Sequence, residues 1–193
     1  MAAINFPTAT NSTQPGVLTA SGSDFVDPED YLRLYLSAIV GIDKTLVRKR
    51  WEQKPGTQPS IGTDWAAVGV DRVETQGFPL QENSKSPDVV TRTSWQRLHC
   101  IATFYGPHAA ANADAFREGA QLGQNIAALK AACGLKIQSV DDDVAHVPDF
   151  AFSQWIDRFD VFFTVARKVT RTYGVLSFTS ADDIELITEK GKA

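Results

Sequence analysis

Side chains that commonly hold metals or attack carbonyl carbons are scarce here: 193 residues contain three histidines and two cysteines. Cys100 and Cys133 stand far apart and no C-x-x-C occurs, so the cysteines suggest no metal-type pair. Phosphate-cradling glycine loops, G-x-S-x-G elbows and H-E-x-x-H helices are all missing. No apolar run approaches the roughly 18 residues needed to span a bilayer, so no membrane partner is expected. The opening MAAINFPTATNSTQPGVLTASGSD has neither a basic start nor a long apolar block. It is not read as a secretory signal, and free thiols in a reducing compartment are the expectation. Basic excess is missing too. Lys and Arg number 19 against 23 acidic residues, a net charge of −4 that argues against a nucleic-acid groove.

What is present suits one buried core. The hydrophobic share of 43% is ample for a single domain, and the length leaves little room for a second. Residues 1–24 are rich in Thr, Ser, Asn and Gly and predict a flexible or extended arm, followed by one domain over 25–193. In DPEDYLRLYLSAIVG, Asp27 is placed to cap a helix and Pro28 to occupy its first turn. Leu32, Tyr35, Leu36 and Ile39 recur at helical spacing, and Gly41 suits a left-handed stop.

TLVRKRW and DWAAVGVDRVE read as strands. QGFPLQENSKSPD, polar and with two prolines, predicts a long loop near 76–90. In TRTSWQRLHCIATFY, two-residue alternation sets Leu98, Cys100, Ala102 and Phe104 on a core face. One alanine-rich helix is expected from about Pro107 to Cys133, its inner face including Phe116, Ala120, Gly123, Ile126 and Ala127. Gly134 should cap it, with Leu135 packing behind. KIQSV is a short strand, DDDVAHVPDFAFSQ an irregular acidic connection, and WIDRFDVFFTVARKVTRTY a strong strand. GVLSFTSADDIELIT supplies a last strand or two. The predicted class is α+β: a mixed, mostly antiparallel sheet with two helices packed on one face.

His99 beside Cys100 suggests a catalytic dyad, but strand neighbours point to opposite faces, and a nucleophile needs its base within about 3 Å. Cys100 is instead read as a small core residue. A hydrolase using Cys100 with a distant histidine is the enzymatic alternative. His108 is read as a surface residue in the first turn of its helix. Asp141, Asp142, Asp143 and His146 make the one metal-like grouping, and a solvated acidic loop is the plainer reading. Basic VRKR offers a nucleic-acid alternative. No catalytic, cofactor or metal site is therefore predicted. Trp95, Tyr105, Trp155, Arg158 and Phe162 lie outside the inferred core faces, and Trp and Arg are enriched at protein contacts. They are the candidate protein interface.

The helix PEDYLRLYLSAIVG, the passage CIATFYGPHAAANADAF and the strand WIDRFDVFFTVARKV, in that order, resemble the neck or tail-terminator proteins of contractile-tailed bacteriophages. The similarity runs from about Pro28 to Ile187. Its most specific marks are FYG entering an alanine-rich helix and the W-x-x-R of Trp155 and Arg158. The resemblance implies a non-enzymatic virion protein with an α/β fold, assembled in the host cytoplasm and placed in the neck at the top of the tail. It implies a homo-oligomeric ring, usually a hexamer, that caps the tail tube and ends its polymerisation. Implied partners are the tail-tube protein, a head-completion or connector protein and the sheath protein. Genomic DNA would pass through the lumen without sequence-specific binding. Another head–tail connector or a tail-tube component is the alternative in the same class.

Overall fold

The computed structural model describes residues 8–9, 17–52, 56–83, 89–151 and 153–175. In chain order its elements are β1 (Thr8–Ala9), β2 (Val17–Leu18), β3 (Ala20–Ser23), α1 (Pro28–Val40), β4 (Val47–Lys49), β5 (Trp65–Asn83) and β6 (Val89–Tyr105). Then follow α2 (Ala109–Ala120), α3 (Gly123–Cys133), β7 (Lys136–His146), β8 (Asp149–Ala151), β9 (Gln154–Ile156) and β10 (Arg158–Gly174). The class is α+β, as the sequence predicts, with three helices where two were expected. The chain divides into two compact units. One takes Asp24–Pro79 and Thr93–Val169; the other takes Met1–Ser23, Leu80–Arg92 and the chain from Thr170.

The larger unit is a sheet in the order β4-β5-β6-β10, with β7 also paired to β10. β4 runs parallel to β5, and β7 antiparallel to β10. Alternation along β6 buries Leu98, Cys100, Ala102 and Phe104, and alternation along β10 buries Val161, Phe163 and Val165. Small residues Ala109, Ala113 and Ala120 bring α2 close, so that Phe116 meets Phe163 edge-on at 5.4 Å and Phe104 at 5.8 Å. Asp27 accepts a bond from the Glu29 N–H, and Gly41, at φ +78°, closes α1 as expected. A side chain on Gly119 would fall 2.5 Å from Ile39, so α1 and α2 pack closely only because this residue has none. The Tyr35 hydroxyl donates to the Ala120 carbonyl at 3.3 Å, satisfying one acceptor at the end of α2.

In the smaller unit β1 pairs parallel with β2, and β3 pairs antiparallel with the end of β10, Ser23 facing Arg171 and Gly22 facing Thr172. Residues 20–23, expected to belong to an arm, are thus strand. Most of the expected arm, and the last strands read in LSFTSADDIELIT, lie outside the described residues.

Four local expectations change. The single helix over 107–133 is two, because Gly119 and Gly123 weaken helix on both sides of Gln121–Leu122. The Asn125 amide donates to the freed Gly119 carbonyl at 2.9 Å. The break also changes the buried face: Leu129 is the buried residue of α3, while Gly123 and Ala127 are exposed. Pro107 precedes the helix, whose N-cap is His108.

The acidic connection after KIQSV is strand. Val140 and Val144 face Phe163 and Val161, with three residues between the valines against one between their partners, so Asp141, Asp142 and Asp143 bulge outward while the valines keep their inward places. The loop expected near 76–90 is strand through Asn83 and again from Val89; Ser84–Asp88 lie outside the described residues. Gly77, at φ +64°, adopts a backbone that other residues resist. Finally, the core face read in β6 is not its only buried one: Ile101 and Thr103, on the opposite side, are buried too.

Cys100 is 2% exposed, and burial pushes its thiol from 9.0 up to about 12. His99 points away from it, its Nε2 lying 3.4 Å from Glu74. The dyad is excluded by this geometry.

Two outcomes are expected. Gly106 sits at φ +106°, and a Cβ there would lie 2.6 Å from both the Thr63 carbonyl and the Asp64 carboxylate. Gly106→Ala should therefore lose about 2 kcal/mol or more in urea unfolding. In alkaline solution the unfolded chain releases the Cys100 proton near 9.0 while the folded protein keeps it to about 12. Stability should fall across that window, by up to about 1.4 kcal/mol per pH unit for this one group. Unfolding curves taken between pH 8 and 11 should show a shallower decline for Cys100→Ala.

Candidate assembly surface

The three helices occupy one face of the larger unit's sheet, and the other face carries the residues of interest. Alternation sends Trp65, Ala67 and Gly69 of β5 to that side, with Trp95 to Tyr105 of β6 at odd positions and Arg158, Asp160 and Phe162 of β10.

Near Tyr105 the face is covered by its own chain. Trp51, just past β4, lies over Gly69, where any Cβ would sit 2.6 Å from the indole. Trp65 stacks on Tyr105 with ring centroids 4.0 Å apart and planes 6° from parallel. Arg50 donates to the Thr103 hydroxyl, lies over the Trp51 ring at 5.6 Å and reaches within 3.9 Å of Asp160. Asp160 is 3% exposed and accepts two bonds from Arg158, at 3.1 and 2.6 Å. Arg158 in turn stands 4.0 Å from Asp149. Donating to Asp160 raises the Arg158 pKa further, and burial pushes the Tyr105 hydroxyl up. This layer explains why Ile101 and Thr103 are buried on a face with no helix.

The five sequence-predicted interface residues therefore separate. Tyr105 and Arg158 are half-buried in this layer. Trp95, Trp155 and Phe162 stay exposed, at 41%, 72% and 44%. They do not form one patch. Ser94 bonds the Val169 carbonyl at 3.4 Å, which sets Trp95 beside a residue seven positions along β10 from Phe162, roughly 20 Å at strand rise. Trp155 stands on the β8–β9 hairpin, edge-on to Phe150 at 5.3 Å. Phe150, Trp51 and Phe78 are exposed aromatic groups that alternation alone did not single out. Phe150 and Trp51 lie in or beside short strands, where few residues reveal a face.

No group of acidic, histidine and cysteine side chains suited to a metal ion occurs among the described residues. His146 bonds Asp157 at 3.2 Å and stacks on Phe159 at 4.5 Å instead of joining the aspartates before it. His108 is tied to Asp64, which accepts from its backbone N–H and approaches its Nδ1, both at 2.8 Å. Among the described residues, no helix is long and apolar enough to cross a membrane.

Removing Arg158 would leave the Asp160 carboxylate buried beside one distant cation. Arg158→Ala should cost about 3 kcal/mol in chemical unfolding. The double variant with Asp160→Ala should be less destabilised than the single one, because no orphaned charge remains.

A search among curated proteins finds no match. A family model described as phage neck terminator protein matches residues 29–192, from the first turn of α1 through every later element of both units. Spanning most of the chain, that match makes this protein a member of the phage neck terminator family, a structural component of the virion neck.

Proposed function

We propose that the protein forms a ring, built from six copies, that caps the phage tail tube and joins it to the head-completion proteins. In this reading it stops tube polymerisation by occupying the tube's growing end. Sheath protein is a further neighbour, and genomic DNA passes through the lumen without sequence-specific contact. Catalysis plays no part. The family match over residues 29–192 carries the proposal. Exposed aromatic groups at several separated places on the larger unit support it. A ring needs one patch to meet a different patch on the next copy, and a subunit in a stack needs contacts above and below as well. Net charge agrees with the passive channel: at −4 the subunit as a whole does not attract DNA.

Sedimentation velocity and negative-stain microscopy test this directly. The purified protein, alone or with tail-tube protein, should form closed rings, and added protein should shorten growing tubes. Tubes that lengthen by incorporating it would make it a tube component instead. A strict monomer that neither rings nor alters tube growth would end the proposal.

A further inference from the structure

The strand order of the larger unit leaves two ends, and they carry different chemistry. At one end β7 pairs with β10 and, among the described residues, with no other strand. Its bulge presents Asp141, Asp142 and Asp143, all exposed. None of the three forms an ion pair among the described residues: Arg117, whose charge Asp142 feels, is held by Asp114 at 2.8 Å. Phe162 is exposed near Asp141, and both border a shallow hollow that also includes His99.

At the other end β4 borders an open cleft walled by Trp51, Trp65 and Tyr105, with Arg48, Arg50 and Gln58 in its lining. The cations there are not equivalent. Lys49 is neutralised by Asp27 and Asp30, at 2.8 and 2.9 Å, and Arg50 shares Asp160 with Arg158. Arg48 donates only to the carbonyl oxygens of Gly56, at 3.3 Å, and Thr57, at 2.6 Å. It has no carboxylate partner among the described residues. Glu52 is the acidic residue of the lining, and it is exposed.

We propose that this cleft receives the Asp141–Asp143 bulge of a second copy, joining subunits head to tail through opposite ends of the sheet. The inference rests on the ring reading above and adds the residues that would make the contact. A planar guanidinium takes carboxylate oxygens in pairs, and aromatic walls exclude water that would otherwise screen the charges. Exposed ion pairs alone contribute little, so the Trp51, Trp65 and Tyr105 walls and the nearby Phe162 supply the anchoring area. Because donor and acceptor patches differ, each copy keeps one of each free for the next, and the chain of contacts can close.

A charge exchange tests it. One variant carries Asp141→Lys, Asp142→Lys and Asp143→Lys; the other carries Arg48→Glu. Each alone sets like charges together at every junction, and association measured by sedimentation should weaken at least tenfold. Mixed in equal amounts they restore opposite charge at both kinds of junction, so alternating assemblies with an even number of copies should return. Because Arg48 also holds the loop at Gly56 and Thr57, Gln58→Glu serves as a second acidic cleft variant, and circular dichroism checks each fold. Association of the wild-type protein should also weaken as salt is raised. Variants that assemble like wild type, or a mixture that fails to recover, would overturn this contact while leaving the ring intact, the carboxylates then serving only to guard a strand edge. A wild-type protein that forms no ring removes both readings.

Discussion

The larger unit depends on the pairing of two alternations, one in β6 and one in β10. Their inward residues form a continuous apolar layer, with Phe116 of α2 seated between Phe104 and Phe163. Neither strand could shift by a single residue without turning polar groups inward, so this layer fixes register as well as stability. The helices adapt to it. Alanines and Gly119 let them approach until the Ile39 side chain of α1 rests against the α2 backbone.

The opposite face solves a different problem. A sheet with helices on one side leaves its other side wet, yet part of this one is closed by aromatic stacking and ion pairs from the subunit itself. Arg158 and Arg50 make burial of Asp160 tolerable, since a buried carboxylate without partners would be expensive. The closure stops short of Phe162 and Trp95, which remain in solvent together with the hairpin that carries Trp155. The larger unit thus has a close-packed centre with exposed aromatic groups placed around it. That suits a structural component of the virion neck, whose task is to fit its neighbours.

Local signals in the sequence were clear where one residue type has one physical use. Asp27, Pro28 and Gly41 delimit α1, Gly134 closes α3, and the alternation after Trp95 places the Cys100 thiol inward. The recognisable order of helix, FYG passage and late strand agrees with the family match. Signals failed where composition misled. Three aspartates look like a loop, but their strand survives because Val140 and Val144 bracket them. An alanine-rich run looks like one helix, but two glycines and the Asn125 amide divide it. A polar, proline-bearing stretch looks like a loop, but ladder pairing holds it extended to Asn83.

Sequence by itself thus determined the α+β class, the caps of α1, the close of α3 and the inward face of β6, because these follow from bonds and spacings within a few residues. Which aromatic groups meet solvent was decided only by tertiary structure. Trp95, Tyr105, Trp155, Arg158 and Phe162 look equivalent along the chain, yet Arg50 and Trp51, distant in sequence, cover two of the positions around them and leave the others open. Burial is a property of what arrives from elsewhere in the chain, and no local pattern carries that information.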